Sequence, residues 1–267
     1  MKKTSNGWNY LKDTARLNVK TKVYALATVF TALYTVLRLV QTIPMVGVAG
    51  ARFSLSDVIA PLYGAILGPY VGGLSVVLGT FLAVGFGKPV VFLGLDFLPA
   101  LANTVSIGLL VRHKWVSVLT LNLLLLFIFL LSPYTSFFVE VQILGNKLLF
   151  PFAWLHILAF LVLLSPVGRN AVRWVESLAP LKLSAGLAVL AFVGTMMQHL
   201  VGNILYEVVF GQPIGGWNAA NFKAVWATVF FLYPWERLVL IVLAVVIGVP
   251  LVRTLEKSHL AIEGTVV

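Results

Sequence analysis

Apolar residues in this chain run in long, nearly unbroken stretches, not at the three-to-four-residue spacing of a surface helix. Stretches of that kind read as membrane spans, because in lipid every backbone polar group must be satisfied within its own helix. Spans are expected near 23–44, 57–70, 71–87, 90–111, 115–132, 149–166, 184–208 and 228–252. The second and third are short, about 21 to 25 Å at ~1.5 Å per residue, against a ~30 Å hydrocarbon core. Gly68-Pro69 breaks the run between them. The pattern predicts an all-α fold, a polytopic transmembrane helical bundle of about eight spans.

Composition agrees: 60% of the 267 residues are hydrophobic and only 10% are charged, against about 25% charged in a typical soluble domain. The net charge of +10 suggests nucleic acid at first sight, but its distribution gives a different reading. With eight spans and a cytoplasmic N-terminus, the inner side carries Lys2, Lys3, Lys12, Arg16, Lys20 and Lys22. It also receives Arg112, Lys114, Arg169, Arg173, Lys182, Arg253 and Lys257, so that most of the 19 basic residues follow the positive-inside rule. The outer loops receive Arg52, Lys88, Lys147 and Lys223. Merging 57–87 into one crossing would throw every later basic cluster outside. The expected layout is a basic cytoplasmic segment at 1–22, one transmembrane domain at 23–252 and a short cytoplasmic tail at 253–267, in a multi-pass cell-membrane protein with no nucleic-acid partner. No signal peptide is expected, since the first twenty-two residues are basic and polar. Cysteine is absent, so disulfide and thiolate chemistry are excluded.

Within that topology the polar residues are one-sided. Arg38 and Gln41 fall near the outer end of span one, and Asp57 opens span two from the outside. Asp96 is expected about two turns into span four, and His156 likewise in span six. Gln198, His199, Asn203 and Glu207 occupy the outer half of span seven, and Glu236-Arg237 that of span eight. A charge at the bilayer centre costs at least ~2.5–3.5 kcal/mol, so each of these residues needs a structural or functional reason. Pairing between helices is one reason. A pocket open to the outside explains the asymmetry better. Trp217, Trp226, Tyr233 and Trp235 gather near the same level, where an aromatic interfacial belt is the simplest reading. The glycine-containing stretch Gly47-Val-Ala-Gly50, followed by Arg52, can fold over a pocket mouth. In span one, Ala27/Thr31 and Thr28/Ala32 form overlapping small-xxx-small pairs that let a helix approach closely. There is no G-x-x-x-x-G-K-[ST], no H-E-x-x-H and no G-x-S-x-G, and no metal or cofactor is expected.

The stretch at 52–83, with Leu55, Asp57, Pro61, Leu62, Gly64, Gly68, Pro69 and Gly72, together with 92–114, resembles the substrate-binding (S) components of energy-coupling-factor transporters. The resemblance covers about the first 115 residues. It implies a six-span core, here with extra helices, that binds a vitamin or similar small polar micronutrient from outside. It also implies partners: a transmembrane coupling subunit docked on the small-residue face of the first helix (Ala27, Thr28, Thr31, Ala32), driven by cytoplasmic ATPases. The substrate-contacting residues are then expected to be Arg38, Arg52, Asp96, His156, Gln198, His199, Asn203, Glu207, Glu236 and Arg237. A second, partial similarity is to CAAX-type intramembrane proteases, through the F-x-x-x-H of Phe152–His156 and the H-x-x-x-N of His199–Asn203. That family's Glu-Glu pair followed by Arg is absent here. On that reading His156 and His199 would hold a catalytic water or a metal; a structural subunit, or the membrane subunit of another transporter, is the remaining alternative.

Overall fold

The computed structural model describes residues 5–143 and 145–258. Lys2 and Lys3 of the basic N-terminal segment, and 259–267 of the expected tail, lie outside the described residues. The chain is all-α apart from two small antiparallel ribbons. Helix α1 (Ser5–Leu39) leads through strands β1 (Gln41–Pro44) and β2 (Arg52–Ser54) into the helical segment α2 (Ser56–Gly85). Helices α3 (Leu98–Val111) and α4 (Trp115–Leu131) follow, then the ribbon β3 (Phe138–Ile143) and β4 (Asn146–Pro151). Helices α5 (Trp154–Leu164), α6 (Pro166–Glu176), α7 (Pro180–Phe210) and α8 (Ala219–Lys257) follow. Among the described residues, four helices are long and apolar enough to cross a membrane, and five if the bent pair α5–α6 counts as one span.

Segment α2 is not one straight rod. Thirty residues of helix would extend about 45 Å, yet Lys88, just past its end, reaches Ser54, just before its start, at 2.5 Å. The reversal falls at Gly68, whose φ of 72° and ψ of −179° lie outside helical space, immediately before Pro69. Glycine is required there because the conformation has positive φ, and proline cannot donate the hydrogen bond that would continue the first helix. The two arms then press together so closely that a Cβ on Gly72 would stand 2.6 Å from the Tyr63 carbonyl oxygen. α2 is therefore a helical hairpin with both ends on one side, as the short spans at 57–70 and 71–87 anticipate.

Other boundaries depart from the sequence pattern. The span expected at 90–111 becomes helix only at Leu98, because Asp96 folds 90–97 into a tight loop by accepting from the Val91 and Phe92 amides at 2.9 and 3.1 Å. Asp96 thus precedes the helix and does not sit two turns inside it. The span expected at 149–166 is α5 alone, and residues 146–151 belong to the β3–β4 ribbon. At Ser165, which caps α6 by accepting from the Val167 amide, the chain turns by 69°. Helix α8 runs on through Lys257, so the first five residues of the expected tail are helical.

Side-chain contacts sort the molecule into two ends. At one, Arg112 lies over the Tyr70 ring at the hairpin tip, Arg169 lies over Trp115, and Arg253 reaches the Leu178 carbonyl. At the other, Arg38 meets the loop before α3, Tyr206 meets the loop after β1, and Trp226 donates to the Tyr134 carbonyl. The core divides the same way, with aliphatic packing of α1, α2, α3 and α7 toward the basic end and aromatic packing around Phe129, Phe152, Trp226 and Tyr233 toward the other. Broad apolar faces on α1, α4 and α8 point outward, among them Tyr24, Val29, Phe127 and Val246.

Candidate functional site

The site lies at the aromatic end, where α1, α2, α3, α7 and α8 converge under the β1–β2 ribbon. A cavity of about 140 Å³ opens there. That is below the ~300–1,000 Å³ of drug-sized ligand sites, which limits an occupant to a small molecule.

Helix α7 supplies one wall. Gln198, His199 and Asn203 are buried at helical spacing on its inner face and line the cavity. Gln198 donates to Asp57 Oδ1 at 2.7 Å and accepts from the Asn103 amide at 2.8 Å. The second oxygen of Asp57 accepts from the Ser54 amide at 3.2 Å. This chain of bonds ties α2, α3 and α7 together through groups that would be costly to bury unpaired. The close approach depends on Gly194, where a Cβ would collide with the Asn103 carboxamide oxygen.

Helix α8 supplies the opposite wall through Tyr233, Glu236 and Arg237. Arg237 is paired with Glu236 and also donates to the Thr195 carbonyl at 3.2 Å, so the ion pair is held against α7. From α1, Arg38 donates to the Asp96 carbonyl at 2.9 Å. Arg52, on the ribbon, is exposed at the rim and reaches the Thr42 carbonyl at 3.3 Å. Lys88 lies in the loop between α2 and α3, outside the long helices. Partial burial, reinforced by Arg38, holds its ammonium below the ordinary lysine value, while Asp57 and Asp96 act in the opposite direction.

Segment 43–46 closes over the cavity. Tyr206 donates to the Val46 carbonyl at 2.9 Å, and the next residue, Gly47, has φ +78° and packs so near the Tyr206 hydroxyl that no side chain fits. The strap is thus 43–46, held at its end by Tyr206 and Gly47, while the rest of the stretch Gly47–Gly50 does not line the cavity.

Eight of the ten residues expected from the sequence line this one cavity: Arg38, Arg52, Asp96 and Gln198, together with His199, Asn203, Glu236 and Arg237. Two do not. His156 stands one layer behind, its Nε2 3.1 Å from His199 Nδ1, with the rings nearly parallel and Tyr233 alongside. Glu207 lies a turn beyond Asn203 and accepts from Thr135 at 2.8 Å. Three further lining residues, Asp57, Lys88 and Tyr206, were not among those expected. Lys88 reads from sequence as an outer-loop cation, and only the hairpin fold brings it to Ser54. Trp226 and Tyr233 are buried core residues and not a belt, whereas Trp235 is 70% exposed.

The small-residue pairs of α1 separate. Thr31 packs on α2, where Gly79 meets its carbonyl, and Ser75 reaches the Ala27 carbonyl, while Thr28 and Ala32 face outward. Among the described residues, no three His, Asp or Glu side chains stand together as metal ligands would. A larger hollow of about 870 Å³ lies between the β3–β4 ribbon, α5 and α8, and among the described residues lining it Arg237 alone is charged. No known family's model, no curated protein and no solved structure matches the chain significantly.

Proposed function

We propose that this protein is the ligand-capturing membrane component of an uptake system, taking a small polar metabolite from the outside for a partner that supplies the energy. The observation that carries this reading is the convergence of eight polar residues, scattered from Arg38 to Arg237, on one strapped cavity at one end of an apolar bundle. A handful of directional polar groups set in an apolar and aromatic wall is how small-ligand sites are built.

The proposal includes a topology. The α2 hairpin counts as two short crossings, which with α1, α3, α4, α5, α7 and α8 makes eight and leaves both termini in the cytoplasm. Three contacts support it: Lys88 with Ser54 at the cavity end, and Arg112 with Tyr70 and Arg169 with Trp115 at the opposite, basic end. Basic residues at that end favour a cytoplasmic assignment. The chain lacks a nucleotide-hydrolysing motif, so the reading calls for a transmembrane coupling subunit and cytoplasmic ATPases, as in the S components the first 115 residues resemble. Thr28 and Ala32, on the outward face of α1, are the docking positions that reading retains.

The alternative is an intramembrane hydrolase using His156 and His199, favoured by their 3.1 Å contact. It requires those nitrogens to release each other and find a third ligand or base. Native mass spectrometry of the protein released from detergent separates the two. One organic metabolite per chain supports capture; bound zinc with no metabolite overturns it in favour of the hydrolase.

A further inference from the structure

The acids and the donors around the cavity are in different states, and the difference bears on ligand charge. All three lining carboxylates are committed to protein donors. Asp57 accepts from Gln198 and the Ser54 amide, Asp96 from the Val91 and Phe92 amides, and Glu236 from Arg237. Apart from Arg237, the cations are not so engaged. Among the described residues, Glu236–Arg237 is the only ion pair in the cavity. Arg38 spends one bond on a neutral carbonyl, and its Nε has no partner. Lys88 has the Ser54 hydroxyl, and Arg52 one long bond to a carbonyl. The Asn203 amide nitrogen and Arg237 Nε also lack partners. Arg38, Asn203 and Arg237 are 7%, 6% and 3% exposed, so these donors have little access to water.

A guanidinium has five N–H donors and no acceptor, and a buried cation without an opposing charge is unfavourable. Apart from Arg52, which is exposed at the rim, three cations face three carboxylates around the cavity, so the surplus is one of hydrogen-bond donors and not of buried charge. An arriving anion would occupy donors the protein leaves idle. An arriving cation would have to share carboxylates that already accept from protein donors. Resting on the capture reading above, we infer that the cavity selects a small organic monocarboxylate, its carboxylate held among Arg38, Lys88 and Asn203. Its apolar body lies against Tyr206, Trp226 and Tyr233, which line the same cavity. The acids serve to hold the site's own donors and loops in place.

The test is a thermal-stability screen of the full-length protein in detergent against three matched panels of small metabolites: carboxylates, the corresponding primary amides, and the corresponding amines. Stabilisation by members of the carboxylate panel alone is the expected result. Their apparent affinity should fall by roughly tenfold or more in Arg38→Gln and in Lys88→Met, the loss of about one charge-assisted bond. Lys88→Met removes a half-buried loop residue and remains informative if Arg38→Gln does not fold. Equal or greater stabilisation by amides or amines overturns the anion inference while leaving capture standing. No stabilisation by any panel overturns both.

Discussion

The ammonium of Lys88 lies 2.5 Å from the Ser54 hydroxyl, although the 30 residues of α2 stand between them. One bond therefore fixes the direction of the chain: whatever α2 does at Gly68-Pro69, it returns. It also delivers a cation from the α2–α3 loop into the site.

The hairpin makes a topological prediction, and the absence of cysteine from the chain makes it easy to examine. Single cysteines placed at Tyr70, on the hairpin tip, and at Gly87, beside Lys88, should react with an impermeant thiol reagent from opposite sides of a sealed membrane. Tyr70→Cys should label from the cytoplasmic side, where Arg112 packs on that ring. Labelling of both from the outside would make α2 a re-entrant loop and reduce the crossings to six.

The Asp57–Gln198–Asn103 relay should matter more to stability than any single lining residue. Gln198→Ala would leave the Asp57 carboxylate and the Asn103 amide buried without their partner, at a cost of about 1–3 kcal/mol each. The expected outcome is a clear drop in the unfolding midpoint in detergent. Gln198→Glu should be at least as damaging, because it sets a second carboxylate against Asp57. An unchanged midpoint in both variants would show that the relay is not a structural tie.

How much of this was legible in the sequence depends on the distance a signal spans. The one-sidedness of the polar residues needs only a helix count and a direction, so Gln198, His199, Asn203, Glu236 and Arg237 could be assigned to one end. Their partners could not be read. Asp57 stands 141 positions from Gln198, and nothing local marks the pair. The helix start at Leu98 escapes the hydrophobic pattern because residues 90–95 are as apolar as a span, while Asp96, which holds them in a loop, acts by bonding their backbone. The ribbon at 138–151 was hidden for the same reason, being apolar enough at Leu148-Leu149-Phe150 to merge with the following helix. The sequence places His156 among the ligand groups, but its spacing does not reveal that His199 stands between it and the cavity.

The strap makes a kinetic prediction. Tyr206→Phe removes the one hydroxyl that holds the Val46 carbonyl and leaves the ring packing on Trp217 and Trp226 intact. Ligand should then leave faster, with little change in the folding midpoint. Gly47→Ala should act more severely. It places a Cβ at positive φ, at a cost of about 1 kcal/mol, and 2.5 Å from the Tyr206 hydroxyl. Dissociation rates measured by ligand chase should rank Gly47→Ala fastest, then Tyr206→Phe, then the parent. Equal rates in all three would show that 43–47 is a connection and not a cover.

Lys88 gives the site a pH dependence whose direction can be worked out. Desolvation, with Arg38 of α1 adding repulsion, lowers its pKa below the usual lysine value, and Asp57 of α2 and Asp96 of the same loop offset part of that. A lysine held below its ordinary value loses its proton earlier as pH rises. An anion that binds the charged form should therefore lose affinity on the alkaline side, at a pH below that at which a free lysine titrates. By the same linkage, a bound anion raises the Lys88 pKa, so binding at alkaline pH should take up a proton, which calorimetry in buffers of different ionisation heat would register. Lys88→Met should flatten the alkaline limb while leaving a weaker, pH-independent affinity from Arg38 and Asn203. Lys88→Arg should flatten it with less loss, because a guanidinium stays charged throughout that range. An alkaline limb that survives unchanged in Lys88→Met would remove Lys88 from ligand contact and leave it as the clasp that closes the α2 hairpin on Ser54.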